Sequence, residues 1–389
     1  MRIGLNGAFW GQETTGSGQY LRHLLQTLGS VAPEEELTLF LPRYRRDQGP
    51  SQGAPWRTCL LPTPFDGLNE NLAKVWFEQR SFPRACARLG LDVAHVPYFA
   101  PPLWPRVPTV VTIHDLIPLI LPEYRGSPWV RGYMRLVARA AREAALVLTD
   151  SRASARDILR LLPIPPERLR VIYLAAEARY RPLAPAAWQP VSARLGLPPR
   201  YLLYLGGFDR RKNLAVLLEA FALARKKLGG VSLVIAGRLP QQDSAFAPDP
   251  RPIAGRLGLE GSVHYTGWVA EEDKPALYAG AVAFLFPSSY EGFGLPVLEA
   301  ISCGAPAIVG GGSSLEEVAG PGGLVVPPGD AAALAEAMVR LVEKPALREE
   351  LSAKGLEHAR GFSWPETARQ TLAAYREAGA MARPKMRSP

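Results

Sequence analysis

Val282-Ala283-Phe284-Leu285-Phe286-Pro287-Ser288-Ser289-Tyr290-Glu291-Gly292-Phe293-Gly294-Leu295-Pro296-Val297-Leu298-Glu299 reads as an apolar strand, a turn and the start of a helix. Pro296 suits a first helical turn, where its missing N–H costs nothing. The Phe293, Gly294 and Leu295 amides then stand at a helix N-terminus, where unpaired N–H groups and the helix dipole favour an anion. Gly292 and Gly294 let a ligand approach the backbone. Glu291 falls in the loop at the carboxyl edge of a sheet, where ligands of α/β proteins bind. Glu299 falls inside the helix and can accept hydrogen bonds from two vicinal hydroxyls, as on a ribose. The competing reading is an exposed loop acid and a helix-surface acid.

The pattern of a short apolar run followed by an amphipathic helix recurs in both directions. Before residue 175 the runs are 3–5, 37–41, 92–96, 109–113, 146–149 and 171–174, with helical periodicity at 19–28, 72–89, 129–145 and 153–161. After residue 200 the runs are 201–205, 232–236, 263–265, 282–286, 307–309 and 324–326, with helices expected at 214–227, 272–279, 296–303, 331–342 and 346–360. Strands apolar throughout, alternating with helices, predict parallel sheets covered on both faces. Two such series in 389 residues predict two doubly wound domains. We expect an N-terminal Rossmann-like domain at 1–176, a Pro- and Ala-rich linker at 177–199 and a C-terminal domain at 200–363. A helix within 364–389 should return to the first domain, followed by a basic, unstructured tail.

The composition is that of a soluble globular protein, with 47% hydrophobic and 21% charged residues. Cys59, Cys86 and Cys303 are odd in number and widely spaced, so neither a disulfide framework nor a zinc pattern follows. No apolar run reaches the ~20 residues of a membrane span, and the N-terminus lacks a signal sequence. A cytoplasmic location is expected. The net charge of +9 allows an anionic membrane, a phosphorylated substrate or nucleic acid as partner. Scattered basic residues without interleaved aromatics argue against nucleic acid. Arg131, Arg135, Arg139 and Arg142 fall on one helical face near Trp129 and Tyr133. That face reads either as a solvated surface or as a peripheral contact with the inner face of a membrane.

Gly206-Gly207-Phe208-Asp209-Arg210-Arg211-Lys212-Asn213 follows the 201–205 run. Cations at a strand's carboxyl end can neutralise a diphosphate leaving group; the alternative is a solvated basic turn. In the first half, Gly16-Ser17-Gly18 precedes a helix and reads as a phosphate-cradling turn or as a plain βα turn. Position 21 is Leu and no acid ends the second strand, so a dinucleotide fingerprint is absent. His114 ends the 109–113 strand. On position alone it is a ligand, a base or a core residue; His95 reads as structural.

These motifs together resemble the retaining GT-B glycosyltransferases of family 4. The resemblance rests on Glu291 and Glu299 separated by seven residues, on a glycine-bearing strand end followed by Lys212, and on the segments at 171–174, 304–309 and 323–330. It covers nearly the whole chain. It implies two Rossmann-like domains facing an interdomain cleft, and transfer of a hexose from a nucleotide-diphosphate sugar, which is a substrate rather than a cofactor, to a glycan or lipid-linked acceptor. It implies donor contacts by Arg211, Lys212, Phe293, Gly294, Leu295 and Glu299, with Gly16 and Gly18 facing the donor phosphate and His114 and Glu291 near the transferred sugar. Many members carry Arg where this chain has Gly207, so that role moves to Arg211, with Arg210 the alternative. The segment 114–118 and the Gly-x-Gly-x-Tyr opening resemble members that use GDP-mannose; UDP-glucose and dTDP-rhamnose are alternatives. No D-x-D metal motif occurs, so no metal is expected. A sugar-nucleotide epimerase or a phosphorylase of the same fold is the rival activity, and a basic nucleic-acid-binding protein the rival class.

Overall fold

The computed structural model describes residues 1–12, 15–44 and 53–381. The chain divides into two compact units. One comprises Met1–Leu174 together with the segment from Ser363, and the other is Ala175–Phe362.

The first unit holds seven parallel strands: β1 (Arg2–Asn6), β2 (Glu36–Pro42), β3 (Arg57–Leu61), β4 (Val93–Val96), β5 (Thr109–Thr112), β6 (Leu146–Thr149) and β7 (Leu169–Val171). Their order is β3-β2-β1-β4-β5-β6-β7. The order reverses between β1 and β4, in register Ile3 to Val93, which places a crevice at the carboxyl ends of those strands. Side chains of β1, β4, β5 and β6 are buried almost throughout, as a sheet covered on both faces requires. Part of that cover is the Trp364–Met381 helix. It packs on the Gly16–Val31 helix and on β4 and β5. Its Tyr375 hydroxyl meets His95 Nδ1 at 2.6 Å, and Thr367 donates to the Tyr173 carbonyl at 2.7 Å.

The second unit holds β8 (Tyr201–Leu205), β9 (Ser232–Ala236), β10 (Val263–Gly267), β11 (Ala283–Phe286), β12 (Ala307–Gly310) and β13 (Gly323–Val326). The order is β10-β9-β8-β11-β12-β13, again parallel, with the reversal between β8 and β11. Tyr204 and Phe286 stack across that junction, ring centroids 6.2 Å apart.

Several local expectations need correction. The stretch 177–199 is not an unstructured linker. It contains the Pro185–Arg194 helix, which packs on the Lys274–Gly280 helix and is fixed by the 2.5 Å Arg194–Asp273 ion pair. Pro185 occupies the first turn, where proline is compatible with a helix; only Pro190 is internal. The periodicity at 72–89 is one continuous helical path but not one α-helix. A π-segment at Phe77–Ser81 separates Glu70–Trp76 from Phe82–Arg88. The last strand of the first sheet is Leu169–Val171 rather than 171–174. The edge strand β3 and the Pro250–Arg256 helix carry no periodicity strong enough to have been expected. The expected tail at 384–389 lies outside the described residues.

Candidate active site

The predicted site residues of the second unit gather at the β8/β11 junction. The segment after β8 and the segment after β11 are stitched together by backbone and side-chain bonds. Ser289 N donates to the Arg211 carbonyl at 2.7 Å, Asn213 Nδ2 to the Pro287 carbonyl at 2.9 Å, and Arg211 Nη1 to the Tyr290 carbonyl at 3.0 Å. Asn213 adopts a left-handed conformation (φ 56°), which asparagine tolerates better than most residues. That turn lets the Leu214–Ala224 helix begin directly after the cations.

Glu291 lies at the centre. Lys212 Nζ is 2.6 Å from its Oε1 and Arg211 Nη1 is 2.6 Å from its Oε2. Arg211 Nε is 3.0 Å from Asp209, and Lys212 Nζ stands 4.6 Å over the Phe286 ring. Lys212 and Glu291 are both 8% exposed, so each charge needs the other. Burial alone would raise the Glu291 pKa; the Lys212 and Arg211 charges overcome it and hold the carboxyl below the ordinary carboxylate range. The loop carrying Glu291 is fixed from below by the buried Ser314 hydroxyl, 2.8 Å from both the Glu291 and Phe293 carbonyls.

Gly294 caps the Leu295–Ser302 helix with φ 105°, a conformation that favours glycine. A Cβ there would also meet Leu315 at 2.5 Å. The amides of Gly294 and Leu295 stand at the open end of that helix, where no intrahelical carbonyl can reach them. Glu299, one turn on, does not join the Glu291 cluster. Its carboxyl accepts the Tyr278 hydroxyl at 2.9 Å, while the Tyr180 hydroxyl donates to Glu271 at 3.4 Å. Burial raises its pKa to about 7, against the opposing Lys274 charge.

The first unit carries its own group. His114 lies two residues beyond the end of β5 and is held at both ring nitrogens, by Asp150 Oδ2 at 2.5 Å and by the Pro97 carbonyl at 3.2 Å. Both partners only accept, so satisfying both requires the imidazolium. Burial pulls the His114 pKa down, but the Asp150 carboxylate outweighs it and the pKa is raised. The Tyr20 ring meets His114 edge-on at 5.0 Å. Tyr20 belongs to the Gly16–Val31 helix, so the helix that opens at Gly16 touches His114 through Tyr20. The glycines differ there. Gly18 N donates to the Thr15 hydroxyl, and a Cβ on Gly18 would lie 2.1 Å from the Gln12 carbonyl oxygen; its lack of a side chain is explained by packing. Gly16 has no such described neighbour within 4 Å. His95 is fully buried between Thr112 and Tyr375, and burial lowers its pKa to about 3.

Sequence reasoning missed Asp150, Asp209, Ser314, Tyr180 and Tyr278. Asp150 had a legible signal, an acid directly after a strand. Asp209 stands within the basic loop itself, two residues before its partner Arg211; Ser314, Tyr180 and Tyr278 depend on contacts between separate segments. Among the described residues, no group of three or more His, Cys, Asp or Glu is placed to hold a metal ion, and no helix is long and apolar enough to cross a membrane.

Residues 14–178 match the family described as Glycosyltransferase Family 4, and residues 191–358 match Glycosyl transferases group 1. The O-antigen chain mannosyltransferase B of Escherichia coli is 36% identical over 269 residues, covering 69% of this chain and 70% of that protein. Sucrose-phosphate synthase from Thermosynechococcus elongatus superposes with a TM-score of 0.77 at 24% identity, over 98% of this chain and 100% of the other. Anabaena HepE in complex with UDP-glucose superposes with a TM-score of 0.73 at 19% identity, over 96% of this chain and 100% of that one. The chain therefore belongs to the group 1, family 4 glycosyltransferases and has the GT-B fold.

Proposed function

We propose that this glycosyltransferase moves a hexose from a nucleotide-diphosphate sugar, GDP-mannose as the first choice, to a saccharide or lipid-linked glycan, retaining anomeric configuration and needing no metal ion. The observation that carries the reading is the pairing of Arg211 and Lys212 beside the Leu295–Ser302 helix N-terminus at the β8/β11 junction. Two cations and a helix N-terminus are the groups a departing diphosphate needs. The mannosyl choice is supported by the Escherichia coli relative's name. HepE, which binds UDP-glucose, keeps glucose in contention.

In this reading the diphosphate displaces the Glu291 carboxylate from part of its hold on Arg211 and Lys212. Glu291 then turns toward the sugar, while Glu299 accepts the ribose hydroxyls in place of the Tyr278 bond. The departing phosphate oxygen takes the acceptor's proton as the new glycosidic bond forms on the same face. A double displacement through Glu291 is the less favoured route; trapping a glycosyl adduct on Glu291 would overturn that preference.

The test is thermal stabilisation by GDP, UDP, dTDP and ADP, each with and without EDTA, on the parent chain and on Glu299→Ala. One nucleotide should give a shift that survives EDTA and disappears in the variant. No shift with any nucleotide would overturn the donor site. A shift abolished by EDTA would overturn metal independence. Product analysis with donor alone separates transfer from epimerisation.

A further inference from the structure

We propose that Glu78 is a positioning residue for His114, acting through Tyr98 and the Pro97 carbonyl. Its bearing on transfer rests on the reading that places His114 near the transferred sugar; its geometry lies wholly within the first unit.

Ala73, Phe77, Phe82 and Cys86 are all fully buried, at spacings of four, five and four residues. An α-helix would carry a five-residue step off the buried face. The π-segment at Phe77–Ser81 takes up the extra residue. It also leaves Glu78, next in the chain to Phe77, fully buried. Single π turns are rare and recur at functional sites.

This turn grips both ends of the segment that follows β4. Glu78 accepts the Tyr98 hydroxyl at 2.9 Å and the Tyr133 hydroxyl at 2.8 Å. Gln79 donates to the Pro101 carbonyl at 3.0 Å and accepts the Leu103 N–H at 2.8 Å. The Tyr98 hydroxyl also lies 3.1 Å from Asn6 Oδ1 at the end of β1, and its ring meets Phe9 edge-on at 4.8 Å. Pro97 and Tyr98 share one planar peptide unit. Holding Tyr98 therefore aims the Pro97 carbonyl, which is 3.2 Å from His114 Nε2. Asp150 holds the other ring nitrogen; a single bond lets the ring swing, whereas two set its plane. An apolar side chain could fill the space that Glu78 occupies, so what the carboxyl adds is direction.

The test follows the His114 ring by NMR pH titration of the full chain, with kcat and KM for GDP-mannose and the melting temperature measured alongside. His114→Gln assigns the signal. In Glu78→Leu the Pro97 bond, which favours the charged ring, loosens. The His114 pKa should fall, and kcat should drop roughly ten- to a hundred-fold while KM stays within about two-fold. Glu78→Gln keeps the length and can bond both hydroxyls, so it should restore both values. Burial raises the Glu78 pKa against the opposing Lys74 charge, which makes the neutral amide a close match. Tyr98→Phe removes a single hydroxyl and should show the same fall, so it serves if Glu78→Leu does not fold. An unchanged His114 pKa in the folded variants overturns the proposal, even with a lower melting temperature. So does an equal fall in Glu78→Gln and Glu78→Leu. Unchanged turnover in His114→Gln would instead undo the reading of His114, and the ring titration would still decide the positioning.

Discussion

Replacing Glu291 with glutamine keeps the shape of the side chain and removes the charge that two cations share. In the parent chain Asp209, Arg211, Lys212 and Glu291 sum to zero; in the variant they sum to +1. Each lost pair is worth about 4 kcal/mol at the effective dielectric of partly buried sites, before the desolvation that the carboxylate no longer has to bear. Removing one partner of a buried pair costs about 3–5 kcal/mol. The lower end applies here, because glutamine still offers an acceptor oxygen and the Lys212 and Arg211 side chains keep 10% and 15% exposure. A loss of about 3 kcal/mol corresponds to roughly 6–12 °C in the melting transition of a unit this size. The distinguishing result comes with ligand. A diphosphate supplies the missing negative charge, so the matching nucleoside diphosphate should stabilise Glu291→Gln more than the parent, although turnover falls. Differential scanning fluorimetry with and without nucleotide reads both effects. A variant as stable as the parent, or one gaining less from nucleotide, would refute the view that carboxylate and diphosphate compete for Arg211 and Lys212.

Gly18→Ala should destabilise by about 1–3 kcal/mol through overpacking, whereas Gly16→Ala should leave the fold as stable or more so and lower turnover; chemical denaturation and kinetics on both separate the packing glycine from the one available to a ligand. Glu299 is protonated in the folded chain at pH values where an ordinary carboxyl, with its pKa near 4.5, is ionised. Stability should therefore fall as pH rises from about 4.5 toward about 7. Nucleotide affinity should rise up to about ten-fold as pH climbs through about 7, because ribose hydroxyls donate to the ionised form; calorimetric titration should find both slopes absent in Glu299→Gln. Asp150→Asn should lower the His114 pKa, since burial remains while the Asp150 charge that outweighed it is gone; a pH titration of the His114 ring by NMR that shows no fall would sink the assignment.

The architecture was legible because parallel strands buried on both faces advertise themselves as unbroken apolar runs. Residues 201–205 and 232–236 read straight through to β8 and β9. The loops after β8 and β11 were legible because glycine, proline and clustered cations leave local signatures. What escaped was set by packing. The Pro185–Arg194 helix is defined by Trp188 and Arg194 against a neighbouring helix, not by its own proline- and alanine-rich composition. β3 is an edge strand of Arg-Thr-Cys-Leu-Leu, too mixed to alternate. Glu78 sits on helical periodicity that reads as a solvated acid, yet it is fully buried, taking hydroxyl bonds from Tyr98 and Tyr133. No local pattern announces two tyrosines arriving from other segments. The same holds for Glu299, whose Tyr278 partner comes from a separate helix.

The first unit is assembled from both ends of the described chain, with Ala175–Phe362 interrupting it. His95 and Tyr375 are 280 residues apart in sequence and 2.6 Å apart in space. During synthesis the interrupting segment emerges whole and can fold as it leaves the ribosome, while the earlier sheet waits without the part of its cover that the final helix supplies. At about 5–20 residues per second that wait spans roughly ten seconds or more, an interval in which an apolar sheet surface is open to chaperones or to a neighbouring nascent chain.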